Sequence, residues 1–182
     1  VDNMEMFTDN FSFEDIYFAD ENVQKILYDD LLNKKGLYFL CSHLGNINAM
    51  RTFFRSGEVI DDIRVNLFLE AQQCQIFKNF INSISSDNPI TAYPVENIDV
   101  TTSIEIKEKL DNGEILFIAG DRTSAHNENA TFTSKFLGQK MGFPIGAFKF
   151  ALILGAPIYF IVCTYMVMMI FSCLYNLIKN KK

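Results

Sequence analysis

Residues 34–46 read KKGLYFLCSHLGN. Two lysines and a glycine open the stretch, Leu37–Cys41 follow as an unbroken apolar run, and the run stops at Ser42-His43-Leu44-Gly45-Asn46. A short apolar run bounded on both sides by turn residues is the pattern of a strand buried on both faces, as in a parallel sheet. Residues 47–56 (INAMRTFFRS) then carry apolar positions at helical spacing and end at Gly57. A helix therefore opens where the strand closes, the first half of a βαβ unit.

Outward from this point the same alternation continues. Residues 63–69 (IRVNLFL) read as a strand and 71–84 (AQQCQIFKNFINSI) as a helix; Asp87-Asn88-Pro89 punctuates, and 90–95 is a short strand. Thr102-x-x-Glu105 has the form of a capping box and predicts a helix that stops at Asn112-Gly113. Residues 114–119 (EILFIA) are again a strand. The expected fold is a single α/β domain over residues 1–164, with a mixed, largely parallel sheet flanked by helices and an apolar segment at its C-terminal end. The chain begins on Val1 rather than Met, as expected of a fragment or a processed product.

In open α/β sheets ligands sit beyond the carboxyl ends of strands. Two polar stretches fall at such ends, Ser42–Asn46 and Gly120-Asp121-Arg122-Thr123. They offer an imidazole, a carboxylate and a guanidinium to one cleft, a set suited to acid–base chemistry on an ester or a phosphate-bearing substrate.

Composition narrows the field. With 182 residues, 49% of them hydrophobic and 21% charged, the chain is long enough for a real core and unlike a disordered segment. Its charge of −6 is unevenly spread: nine acids lie in residues 1–30, and none follows Glu128, where only lysines remain. A basic, apolar C-terminal third suits an anionic lipid surface, and no basic stripe with interleaved aromatics points to nucleic acid. The acidic first thirty residues do not read as a secretory signal. Cys41, Cys74, Cys163 and Cys173 form no CxxC pair and read as buried small hydrophobes. His126, in a polar loop, adds no metal set, and no phosphate-binding glycine motif occurs.

Four blocks in order, SHLGNINAMR (42–51), GDRT (120–123), KFLGQKMGFPIG (135–146) and the Ala156-Pro157 pair, resemble the lysophospholipid acyltransferase superfamily over about residues 30–164. The branch they are most similar to contains the lipid A late acyltransferases and related bacterial acyltransferases. The resemblance implies a glycerolipid acyltransferase-like fold and transfer of a fatty acyl group to a hydroxyl of a lipid or glycolipid acceptor. The donor would be a thioester on acyl carrier protein or coenzyme A, with no metal and no other cofactor. His43 would be the general base. Gly45 and Asn46 would offer backbone amides to an oxyanion or a head group, and Arg122 and Arg51 would grip phosphate. Asp121 would hold Arg122 or orient His43, and Phe136, Gly138, Pro144 and Gly146 would line the substrate site. The resemblance further implies a place at the cytoplasmic face of a bacterial inner membrane, peripheral or single-span.

One position departs from the family pattern. The signature is His-x4-Asp/Glu, and here the fifth residue after His43 is Asn48. Three readings follow: a slowed transferase, one whose acid comes from Asp121 or Glu70, or a catalytically silent relative that still binds lipid. A hydrolase using the same histidine on water is a further option. Finally, 158–178 is a run of 21 uncharged residues closed by lysines, long enough for a membrane-spanning helix or for a buried strand followed by an interfacial helix.

Overall fold

The computed structural model describes residues 16–18, 20–43, 63–84, 89–122, 130–163 and 168–173. In chain order these form β1 (Ile16–Phe18), α1 (Glu21–Leu32), β2 (Leu37–Cys41), β3 (Val65–Leu69), α2 (Ala71–Ile84) and β4 (Ile90–Pro94). A 3₁₀ turn at Val95–Asn97 leads to α3 (Val100–Asp111) and β5 (Ile115–Ala119). The chain continues as β6 (Thr131–Phe136), β7 (Gln139–Pro144), α4 (Ile145–Leu154), β8 (Ile158–Cys163) and β9 (Met168–Cys173).

Seven strands make one sheet in the order β1-β9-β8-β2-β5-β3-β4. From β8 to β4 every neighbour pair is parallel. β9 runs antiparallel to β8, and β1 pairs parallel with β9, so that margin runs against the rest. The expected α/β architecture with a largely parallel, helix-flanked sheet is therefore present.

Because β2 and β5 are central, each must be apolar on both faces, which is why their sequences read as unbroken runs. Leu37, Phe39 and Cys41 join Ile115 and Phe117 in one core, completed by Val23, Leu27 and Leu31 of α1 and by Tyr159 and Ile161 of β8. Phe39 stacks on Phe117 with ring centroids 4.7 Å apart. Tyr38, Leu40, Leu116 and Ile118 face the opposite way, into a core with Ile106 and Leu110 of α3 and Ala147, Phe150, Ala151 and Leu154 of α4. Each large side chain so buried contributes about 1.5–3 kcal/mol.

Polar contacts fasten the layers. Buried Asp30 at the end of α1 accepts from Tyr159 Oη at 2.8 Å and from Lys35 Nζ at 2.6 Å, tying that helix to β8. Tyr38 Oη donates to the Ala147 carbonyl at 2.7 Å, tying β2 to α4. Gly36 admits the last turn of α3: a Cβ there would lie 2.0 Å from the Leu110 carbonyl oxygen.

One expectation is corrected. α3 starts at Val100, capped by Asp99, whose Oδ1 accepts the Thr102 N–H at 2.7 Å. No capping box forms at Thr102, because Glu105 lies two turns into the helix and accepts instead from Tyr93 Oη at 2.6 Å. Of the uncharged run 158–178, residues 164–167 and 174–178 lie outside the described residues. Its described parts are β8 and β9, hydrogen-bonded to each other in the sheet. Among the described residues no helix is long and apolar enough to cross a membrane. The helix expected over 47–56 lies outside the described residues.

β6 and β7 form a separate two-stranded hairpin whose turn is Leu137-Gly138. Both turn residues have positive φ, 50° and 82°, the conformation for which Asn-Gly is the usual pair. Leucine in the left-handed region costs about 1–2 kcal/mol.

Candidate active site

β2 and β5 are neighbours, and the register Cys41↔Ala119 sets what lies beyond them. Gly120 N–H donates to the Cys41 carbonyl at 2.9 Å, and Ser42 N–H donates to the Ile161 carbonyl of β8 at 3.2 Å. One residue further along each strand stand His43 and Asp121. The chain that leaves β2 returns in β3, on the far side of β5; the chain that leaves β5 returns in β8, on the far side of β2. Connections that depart in opposite directions from adjacent parallel strands open a crevice between their carboxyl ends. His43 and Asp121 stand at that point.

The two residues are joined twice. Asp121 Oδ1 lies 2.7 Å from His43 Nδ1, and Asp121 Oδ2 accepts the His43 backbone N–H at 2.6 Å. A carboxylate only accepts, so the ring proton is assigned to Nδ1 and the lone pair to Nε2. Their side chains are 32% and 31% exposed, open enough for a reacting group to reach the ring. A carboxylate in this position also stabilises the imidazolium that forms when Nε2 takes a proton.

Close packing holds the strand ends in place. A Cβ on Gly120 would fall 2.4 Å from Leu40 Cδ1 and 3.6 Å from Ala147 Cβ. The first turns of α4 therefore press against the residue before Asp121. Pro144 precedes that helix and Gly146 lies in its first turn, so both lie near the carboxyl end of β5. Phe136 and Gly138 do not join them: they lie at the opposite end of the hairpin, about 17 Å along β6 from its base at 3.4 Å per residue.

Arg122 follows Asp121 and is exposed, and among the described residues it meets no carboxylate. Among the described residues both contacts of the Asp121 carboxylate go to His43 and none to Arg122. Glu70 at the end of β3 makes no contact with His43 among the described residues. Cys41 is buried, with Sγ 3.7 Å from the Phe39 carbonyl, and faces the core rather than the crevice. Gly45, Asn46, Asn48 and Arg51 lie outside the described residues, as does His126. Among the described residues no group of three or more His, Cys, Asp or Glu side chains is placed to hold a metal ion.

Sequence reasoning passed over Tyr38. Tyr38 hid inside an apolar run, and its only signal was a hydroxyl in the middle of a buried strand. Gly120 was visible as the glycine closing β5. No family model matches the chain, and no curated protein gives a significant match to it.

Proposed function

We propose that the protein is an acyltransferase that moves a fatty acyl group from a thioester to a hydroxyl of a lipid or glycolipid acceptor. The paired side chains of His43 and Asp121 at the crevice between β2 and β5 carry this reading. The ordered blocks that resemble the lysophospholipid acyltransferase superfamily supply the substrate class and, with it, a glycerolipid acyltransferase-like assignment of the fold and a workplace at a bacterial inner membrane.

In the proposed reaction His43 Nε2 removes the proton of the acceptor hydroxyl as its oxygen attacks the thioester carbonyl. The tetrahedral intermediate collapses by breaking the carbon–sulfur bond, and the thiolate takes the proton back from the imidazolium. An ester and a free thiol result, with atoms and charge balanced. Asp121 holds the ring in the tautomer this requires and steadies its positive charge. Exposed Arg122, next in the chain, suits a phosphate on the acceptor, because its planar fork matches phosphate oxygens in a bidentate way.

The departure at Asn48 favours a second reading, a silent lipid-binding relative. The contact from Asp121 weighs against it, since it supplies the acid that Asn48 lacks.

The test is an acyl-transfer assay on membrane lipids with labelled acyl carrier protein and acyl-coenzyme A donors. Wild type should transfer label to lipid, and His43→Ala should lower the rate by about 10²–10⁴-fold, the usual worth of a general base. Equal rates in the two proteins would remove His43 from the mechanism. Release of free fatty acid without acylated lipid would reassign the dyad to hydrolysis. Lipid binding without turnover, in wild type and in Asn48→Glu, would favour the silent reading.

A further inference from the structure

The β6–β7 hairpin has two unlike faces. Strand periodicity and the register Phe132↔Phe143 and Ser134↔Met141 put Phe132, Phe136, Met141 and Phe143 on one face. Lys135 and Lys140 oppose each other directly on the other face. At its base the aromatic face rests on the body: Phe132 meets Phe148 of α4 edge-on at 5.6 Å and stacks on Phe143 at 5.7 Å. From Phe132, already 37% exposed, exposure rises toward the tip. Phe136 is 49% exposed, Met141 45%, and Leu137 at the turn 89%.

We infer that this hairpin is a membrane-docking finger for an anionic lipid bilayer, with Leu137 and Phe136 entering the interface and Lys135 and Lys140 meeting lipid phosphates. The tip residue carries the first part of the argument. A turn with two positive φ values ordinarily takes Asn-Gly, yet a leucine is held there, strained and almost wholly in solvent. A local rule broken without gain inside the fold points to a use outside it.

Charge carries the second part. Two lysines face each other across the strands with like charge, an arrangement that disfavours the isolated hairpin. No acid occurs in the hairpin, and among the described residues neither lysine has a carboxylate partner. An anionic surface neutralises them, and lysine stems reach phosphate level while neighbouring apolar groups go deeper. The turn is open as well: Leu137 is 89% exposed and a Cβ on Gly138 would meet nothing within 4 Å, a two-residue tip too small to form a stable protein interface by itself.

The position of the finger gives the docking a consequence. β7 runs without a break into α4, whose first turns press on Gly120 beside Asp121. A finger anchored in lipid therefore bears, through α4, on the carboxyl end of β5, where Asp121 follows Gly120. The inference goes beyond the acyl-transfer reading and does not depend on it, because vesicle binding needs no turnover.

The test is co-sedimentation of the full chain with vesicles of phosphatidylglycerol and phosphatidylcholine, compared with phosphatidylcholine alone. Wild type should prefer the anionic vesicles. Leu137→Asn should weaken binding by about tenfold or more through loss of the inserted side chain. Asparagine suits the left-handed turn, so thermal unfolding should come no earlier than in wild type, which separates lost docking from lost folding. Lys135→Gln and Lys140→Gln should each cost about fivefold on anionic vesicles and little on neutral ones. His43→Ala should bind as wild type does, so a failed transfer assay and a failed docking assay remain distinguishable. Wild type that ignores both vesicles, or Leu137→Asn that binds like wild type, would overturn the inference. A dimer that Leu137→Asn converts to a monomer, without vesicle binding, would overturn it in favour of self-association.

Discussion

Asp121 grips His43 at two atoms of different kinds, the ring Nδ1 at 2.7 Å and the backbone N–H at 2.6 Å. The ring contact sets the tautomer; the backbone contact sets where the carboxylate itself stands. A substitution that spoils one of them leaves the other in place.

Asp121→Asn is therefore expected to keep the fold and lose the chemistry. An amide has one accepting oxygen, so either the ring or the backbone N–H faces an NH₂ group. In acyl-transfer assays kcat should fall by about 10²–10⁴-fold, as seen when a histidine's carboxylate partner becomes an amide in other enzymes, with KM for the donor little changed. Asn48→Glu should alter kcat by less than about tenfold, since Nδ1 already has its carboxylate partner. A large rise in that variant would mean that Asp121 does not do this work.

Gly36 and Gly146 should respond oppositely to alanine. At Gly36 the new methyl would meet the Leu110 backbone at 2.0 Å, so Gly36→Ala should lower stability by about 1–3 kcal/mol. At Gly146 nothing lies within 4 Å, and the residue is helical, so Gly146→Ala should raise stability by about 0.5–1 kcal/mol. Urea unfolding of the two variants against wild type reads both signs.

Removing the Tyr159 hydroxyl should loosen α1. In Tyr159→Phe, Asp30 Oδ2 loses its donor while the carboxylate stays buried, at a cost of about 1–3 kcal/mol. Hydrogen exchange should show α1 opening more often than α3. Equal protection of the two helices would show that this contact does not set the stability of α1.

Stability should fall in strong base. Burial pushes the hydroxyls of Tyr38, Tyr93 and Tyr159 well above the usual tyrosine value, and the Glu105 and Asp30 carboxylates push the latter two further. Folded tyrosines thus hold their protons where unfolded ones release them. The contribution is whole below the unfolded value near pH 10 and is lost progressively as pH rises above it. Urea midpoints should be level between pH 8 and about 9.5 and decline beyond about 10, less steeply in Tyr159→Phe.

β2 and β5 were legible because burial on both faces makes each an unbroken apolar run. β3, which holds the buried Asn66, announced itself by alternation instead. Unbroken apolarity also hid the boundary between β8 and β9: the residues between them, Thr164-Tyr165-Met166-Val167, include no glycine, proline, asparagine or aspartate, so hydropathy read one long segment. β1 is only three residues long. α1 had its signal, with Val23, Leu27 and Leu31 at helical spacing behind the Asp20 cap, and it was passed over among the acids. The hairpin was hidden by Leu137, since its turn lacks the Asn-Gly that marks such elements. At the site, each polar strand end could be found by itself. That Asp121 and not Glu70 reaches His43 depends on β5 lying between β2 and β3, an order that chain sequence does not give.

The strand order also bears on how the chain is made. β2, the middle of the sheet, gains both partners late: Phe39 waits for Phe117 and then for Tyr159, about 120 residues downstream. Among the described residues β1 pairs only with β9, about 150 residues downstream, so it too is joined late. At about 5–20 residues per second, β2 leaves the ribosome some 6–24 s before β8 can cover its second edge. Over that interval Leu37–Cys41 is an apolar strand with a bare edge, open to the wrong partner. A central strand left uncovered for that long makes the nascent chain a natural client for chaperones.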